Sequence, residues 1–227
     1  MNTTIEKLTK KNQNVVVQNG EQCDLVIIHN EQLQEPITKK FVVSAGARLR
    51  VLTVLAASVD ITMDAQLLGD GAVYEHRVIY FGTDKDRMRI RMTSVHQGKN
   101  TMARMLIRGI ALKAAHIDFA GMIDIAASGN GTDARLEHEG LLMSKKARID
   151  ALPGFEIATN TVKAAHSSAV HYLRPEQLFY LQSRGIDQRA ASQMIVSGFF
   201  DEMMNTLGES EVRTHIQQLL AEKQQLL

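Results

Sequence analysis

From Val15 to about Leu173 the chain consists of short β-prone runs, each cut off by glycine, asparagine or aspartate before it can lengthen. DLVIIH at 24–29, FVVSAG at 41–46, RLRVLTVLAAS at 48–58 and RVIYFG at 77–82 are of this kind. In RMRIRM at 87–92 the alternation is strict: Met88, Ile90 and Met92 share one face and Arg87, Arg89 and Arg91 the other, as in a half-buried strand. Turn signals recur at Asn19-Gly20, Gly69-Asp70-Gly71, Gly98-Lys99-Asn100, Gly129-Asn130-Gly131 and Pro153-Gly154. With no amphipathic helix between the runs, the segment reads as an all-β sandwich, barrel or β-solenoid and not as alternating α/β layers. The turn intervals are irregular, and no clean repeat selects the solenoid.

After Arg174 the pattern changes. Pro175 suits the first position of a helix, where its missing N–H costs nothing, and Gly185 can close that helix in a left-handed conformation. Asp187 is placed to cap a second helix with an apolar stripe at Ala191, Met194, Ile195, Gly198, Phe199, Met203 and Leu207. Gly208 breaks it, Ser210 can cap a third, and Val212, Ile216, Leu219, Leu220 and Leu227 continue the spacing. Residues 1–14 read as an N-terminal segment, 15–173 as the β body and 174–227 as a helical appendage. Leu178, Phe179, Leu181, Met194, Ile195 and Phe199 are expected to fasten the helices to that body.

The 44% hydrophobic content is enough to fill a core, and 26 basic against 25 acidic residues give no global attraction to nucleic acid or an acidic membrane. The opening MNTTIEKLTKKNQ lacks the apolar core of a signal peptide, and no later stretch reaches the ~20 apolar residues that cross a bilayer. A cytoplasmic protein without membrane association is expected. Cys23 is the single cysteine, so neither an internal disulfide nor a cysteine-pair metal motif can form.

His166 sits among small residues in AAHSSA, which leaves its ring accessible to a metal or a proton; the alternative is a histidine that merely ends the last strand. In Glu137-His138-Glu139 a strand would turn His138 away from both glutamates, so the three cannot hold one ion without a bulge. His96 and His116 read as core or edge residues and His171 as a surface residue. The arginines at 87, 89 and 91 are expected to be solvated or paired with carboxylates, and the lysine pairs 10/11, 39/40 and 145/146 likewise. No phosphate-cradling loop, GxSxG elbow or HExxH helix is present, which argues against an enzyme. A β-helix carbohydrate-active enzyme would need clustered carboxylates or a metal site on one sheet face; Asp118 and Asp124 lie in one candidate region, yet no convincing pair stands beside a substrate groove.

AAHSSAV at 164–170, LFYLQSRGI at 178–186 and ASQMIVSGFF at 191–200 resemble, in that order, the histidine segment, the FYL-x-SRGI motif and the following helix of the SufB/SufD family, core subunits of SUF iron–sulfur cluster assembly. HQGKNTMARMLIRGIALKAAHIDFAGMIDI at 96–125, TDARLEHEGLLMS at 132–144 and PGFEI at 153–157 fit the same family, so the resemblance spans roughly 70–207.

The resemblance implies a right-handed parallel β-helix core followed by C-terminal helices that bind SufC, the ABC-type ATPase of the system. It further implies pairing of two core subunits through their β-helices, with nascent cluster atoms collecting where they meet. By position His166 matches the interface histidine of the SufD type and is the candidate metal ligand, while His138 falls near a key cysteine of SufB proteins. With Cys23 alone the chain cannot supply a four-thiolate cage, so it reads as a SufD-like short form lacking most of the N-terminal helical domain. It would hold no cofactor stably, at most a transient iron–sulfur cluster shared with a SufB/SufD-like chain or with a second copy of itself. The ATPase is expected on residues 175–207, with Leu178, Phe179, Tyr180, Arg184, Gly185, Ile195 and Phe199 in contact. A purely structural ATPase adaptor is the remaining alternative.

Overall fold

Alternating apolar and polar residues with short turn-forming breaks make strands that bury one face. The computed structural model describes residues 3–7, 13–33, 35–204 and 210–224, and among them stand thirteen strands followed by three helices. The strands are β1 (Thr3–Lys7), β2 (Gln13–Val17), β3 (Gln22–His29), β4 (Ile37–Val43), β5 (Arg48–Leu55), β6 (Val59–Leu67) and β7 (Val73–Gly82). They continue with β8 (Arg87–His96), β9 (Met102–Ala111), β10 (His116–Ile125), β11 (Asp133–Leu142), β12 (Arg148–Ile157) and β13 (Lys163–Tyr172).

Odd-numbered strands form a seven-stranded sheet in the order β1-β3-β5-β7-β9-β11-β13, and even-numbered strands a six-stranded sheet from β12 to β2. Every strand pair among the described residues is parallel. A chain that changes sheet after each strand and then lies parallel to the strand two places back must wind, so the architecture is a β-solenoid. A sandwich or up-and-down barrel would pair its strands antiparallel. Residues of the 1–14 segment take part, since Thr3–Lys7 pairs with Asp24–Ile28 of β3. The coils differ in length: Val73 lies beside Met102 and Met102 beside Asp133, steps of 29 and 31 residues, whereas Arg48 lies beside Val73, a step of 25. Turns of unequal length hide the repeat from the sequence.

The core lies between the two sheets. In β8 Met88, Ile90 and Met92 are buried and Arg87 and Arg89 face water, as the alternation requires. Tyr80 does not stay within its own layer. Its ring lies across Gly109, where a Cβ would come within 2.1 Å of the ring, and its hydroxyl reaches Gly140 of the coil beyond, where a Cβ would lie 3.2 Å away.

The helices are α1 (Pro175–Ser183), α2 (Gln188–Met204) and α3 (Ser210–Gln224). Pro175 occupies the first turn of α1, and Gly185, at φ +83°, ends it with its N–H on the Gln182 carbonyl at 2.9 Å. Asp187 Oδ1 accepts from the Ala190 N–H at 3.0 Å, the cap expected for α2. Val196, Phe200, Met203 and Met204 of α2, with Ile216 and Leu219 of α3, cover the outward apolar half of the odd-numbered sheet: Leu52, Val54, Ile79, Phe81, Ile110 and Leu141.

The fastening set read from sequence is corrected here. Phe199 is partly buried against that outer cluster, but Phe179 is 73% exposed, Met194 is exposed, and α1 buries no residue at all. Apolar residues occupy two faces of α2, and the sheet takes the face of Val196 and Phe200 instead of that of Met194. Leu207, Gly208 and Leu227 lie outside the described residues, as do Lys10, Lys11 and the side chains of Val212 and Leu220. No helix among the described residues is long and apolar enough to cross a membrane.

Replacing Phe200 by Ala should lower stability by about 3–5 kcal/mol, whereas Phe179→Ala should stay within about 0.5 kcal/mol of wild type. Gly109→Ala, which drives a methyl into the Tyr80 ring, should cost about 1–3 kcal/mol. Urea unfolding of the three variants measures all of this, and equal losses for both phenylalanines would contradict the packing.

Candidate functional site at the open end of the solenoid

An inner strand of a parallel sheet satisfies its backbone on both sides, while the last one leaves a row of donors and acceptors open. β12 pairs with β10 alone and β13 with β11 alone, so both edges are open at the same end. Their side chains also lack a covering layer. By register His166 stands beside Leu136, Ser168 beside His138 and Val170 beside Gly140, all on the side facing the lumen. Phe155 stands beside the wholly buried Ile123 yet is itself 48% exposed, and Tyr172 beside Leu142 is 54% exposed. Leu152, on the outer face, is 75% exposed and borders a 330 Å³ recess lined also by Met122, Pro153 and Gly154. An apolar rim of this kind marks a surface that meets another molecule.

His166 is exposed on that rim, its ring 4.9 Å from Phe155 at a tilt of 58°. His138 lies elsewhere. It sits one coil back inside the lumen, 3% exposed, stacked on Phe119 at 4.8 Å and 13°. Its Nε2 is 3.0 Å from the Tyr80 hydroxyl and its Nδ1 3.1 Å from Ser168 Oγ. Burial pushes its pKa down to about 4, so it is neutral. Glu137 and Glu139 face outward, as the alternation demands. The two histidines are therefore not one cluster: His166 is at the surface, and His138 reaches it through Ser168.

Glu139 links the rim to the helices. His171 Nε2 lies 3.2 Å from one of its oxygens and Arg108 Nε 3.3 Å from the other, while Arg108 Nη1 donates to the Phe199 carbonyl at 3.2 Å and its guanidinium sits 5.7 Å from the Phe199 ring. Of the expected ATPase contacts, Phe179 and Tyr180 point outward on α1, with Arg184 5.4 Å over the Tyr180 ring. Leu178, Ile195 and Phe199 are half-buried, and Gly185 turns the chain between α1 and α2.

The remaining candidates are structural. His96 is buried between Thr101 Oγ1 at 2.8 Å and Ser94 Oγ at 3.2 Å, and His116 pairs with Asp150 at 2.8 Å on the sheet edge. Arg89 meets Asp60 at 3.0 Å and Arg91 meets Asp118 at 2.7 Å across neighbouring strands, while Arg87 Nη1 donates to the Ala114 carbonyl at 3.0 Å. Asp118 and Asp124 lie on one strand, about 20 Å apart at ~3.3 Å per residue, too far for the ~5–9.5 Å carboxylate spacing of glycosidases. Cys23, on β3, is partly buried against the inner core and stands five strand steps from β13, about 24 Å at ~4.8 Å per step. Among the described residues no three His, Cys, Asp or Glu side chains converge to hold a metal. His166 is thus not part of a three-ligand cluster among the described residues.

Sequence reading passed over Ser168, Phe155 and Tyr80. The strand period places Ser168 on the face of His166 and could have signalled it, but nothing local tells that Tyr80 spans to the next coil but one.

The profile of the family described as "SUF system FeS cluster assembly, SufBD core domain" matches residues 2–199. An iron–sulfur cluster assembly SufBD family protein of Mycobacterium tuberculosis is 32% identical over 184 residues, covering 77% of this chain and 46% of that protein. The iron–sulfur cluster assembly protein SufD of Escherichia coli is 36% identical over 119 residues, 52% of this chain and 27% of its own. SufD of Bacillus subtilis is 29% identical over 157 residues, 69% and 36% respectively. This chain spans less than half the length of each of these relatives.

Three lumen imidazoles make stability depend on pH. Burial lowers His76 to about 3 and His96 and His138 to about 4, against an ordinary 6.5. Below pH 6.5 the unfolded chain binds protons that the folded chain refuses, so stability is complete above 6.5 and falls as pH drops toward 4, by on the order of 3 kcal/mol per histidine. Urea midpoints between pH 7.5 and 4.5 should decline, and His138→Gln should flatten the slope. A level profile would mean that the lumen is not sealed.

Proposed function

Because the chain belongs to the SufBD core domain family of SUF iron–sulfur cluster assembly, we propose that it is a non-catalytic, cytoplasmic assembly subunit that pairs through its open coil end and is worked by an ATPase through its helices. The observation that carries this reading is the uncovered last layer: Phe155, His166, Val170 and Tyr172 face the lumen side with no next coil above them. A SufB/SufD-type chain, or a second copy of this one, would supply that layer, and a twofold axis would set the two open edges against each other.

At such a junction His166 is the imidazole available to iron of a transient cluster, which is the cargo of the site and not a resident group. An imidazole beside Phe155, flanked in the chain by Ala165 and Ser167, can offer a ring nitrogen to a soft or borderline metal. Thiolates must then come from the partner, since Cys23 is remote. This chemistry favours a SufD-like role beside a cysteine-bearing subunit.

The ATPase would meet α1 and the adjoining part of α2. α1 contributes nothing to the core, and the exposed aromatic pair Phe179 and Tyr180 resembles the anchors on which interfaces concentrate their energy. Motion imposed on α2 would be felt at the rim through Phe199, Arg108, Glu139 and His171.

Two measurements test the reading. In anaerobic iron and sulfide reconstitution with the partner subunits present, His166→Ala should lower cluster yield several-fold at unchanged thermal stability; an unchanged yield would leave only the structural adaptor. In pull-downs with a SufC-type ATPase, the double change Phe179→Ala and Tyr180→Ala should abolish capture while the unfolding midpoint stays put, and full capture would remove α1 from the interface. The mass of the intact complex then distinguishes pairing with itself from pairing with a SufB-like chain.

A further inference from the structure

Tyr80, His138 and Ser168 form a hydrogen-bonded row from the sealed lumen to the open end, and the direction of its hydrogen bonds can be counted. Tyr80 is wholly buried, and burial raises its phenol far above the ordinary value, so it keeps its proton. Among the described residues the partner of that hydroxyl is His138 Nε2, at 3.0 Å. A buried O–H left without an acceptor is costly, so Tyr80 donates and Nε2 accepts. The neutral imidazole then carries its hydrogen on Nδ1 and donates it to Ser168 Oγ at 3.1 Å. Ser168 receives this bond, which leaves the O–H of this exposed residue available as a donor. The reverse order would leave the phenolic hydrogen of Tyr80 buried with no acceptor.

The row is held rigidly. Phe119 stacks on the His138 ring at 4.8 Å and Tyr80 at 6.0 Å, with interplanar angles of 13° and 16°. Gly109 and Gly140 leave the room in which Tyr80 lies along the axis, since a Cβ at either would meet its ring or its hydroxyl. Ser168 faces the same way as His166, two residues earlier, at a Cα separation of about 6.6 Å for an extended strand.

Resting on the reading of the open end as the assembly site, we propose that Ser168 is a second cargo-contacting group there, its hydroxyl aimed as a hydrogen-bond donor at the sulfur of the cluster or its sulfide precursor. His138 and Tyr80 are positioning residues that hold the hydroxyl in this sense. The division of labour is chemical: His166 offers a lone pair to iron, while Ser168 offers a proton to anionic sulfur, and hydrogen bonds to cluster sulfurs shift cluster potentials.

The test uses the full complex with its partner subunits, reconstituted anaerobically with ferrous iron and sulfide. Ser168→Ala should lower the apparent affinity for the cluster roughly tenfold, the size of a lost hydrogen bond to a charged group, and displace its reduction potential. Ser168→Thr should restore both. Tyr80→Phe, which keeps the ring, should displace the potential in the same direction by less, and nitrogen NMR of His138 should show hydrogen on Nδ1 in wild type and a mixture of tautomers in Tyr80→Phe. Wild-type affinity and potential in Ser168→Ala, while His166→Ala loses the cluster, would overturn this inference and leave the assembly reading standing. Hydrogen on Nε2 of wild-type His138 would overturn it as well. If His166→Ala also retained the cluster, the assembly reading itself would fall, and this inference with it.

Discussion

Parallel backbone pairing between strands two places apart is the constraint on which the rest depends. It forces the chain to cross from one sheet to the other after every strand, so each coil must present one row of side chains to a narrow lumen and one to the outside. It also satisfies every inner strand while leaving the last two with an open side, and the end at β12 and β13 is where His166, Phe155 and Tyr172 stand. The proposed site is therefore a by-product of the winding: a stack of coils that stops must expose a layer that its predecessors would bury.

The lumen shows how polar groups are tolerated inside such a stack. Tyr74 and Thr53 flank His76, Ser94 and Thr101 flank His96, and Tyr80 and Ser168 flank His138. Each imidazole is neutral and has both nitrogens occupied, which removes the penalty of burying a polar ring unpaired. In the first two cases the partners are themselves buried, so the groups are structural. In the third the chain of partners ends at the open face, and an arrangement otherwise confined to packing acquires a polar outlet.

Outside the lumen the two halves of the odd-numbered sheet are treated differently. Arg50 with Asp24 and Arg104 with Asp133 neutralise the polar half between adjacent strands. The apolar half is roofed by α2 and α3, leaving α1 as an aromatic-bearing projection. Fastening and exposure thus fall to different faces: Phe200 and Met203 hold the appendage down, and Phe179 and Tyr180 stay open to solvent.

Local order along the chain determined the strands, since the strict period of Arg87 to Met92 admits no other half-buried element, and it determined the helix boundaries at Pro175 and Gly185. The same period separated His138 from its flanking glutamates, and the succession of motifs from His96 to Phe200 pointed to the family. What the sequence left open was the winding, because coils of 25, 29 and 31 residues carry no fixed period. It also misjudged which face of α2 meets the sheet, choosing that of Met194 where Val196 and Phe200 are buried, since both faces carry apolar residues. That His138 lies sealed behind Ser168 while His166 lies bare was decided only in three dimensions. Both are histidines on inward-facing strand positions, and the difference is whether another coil follows above them.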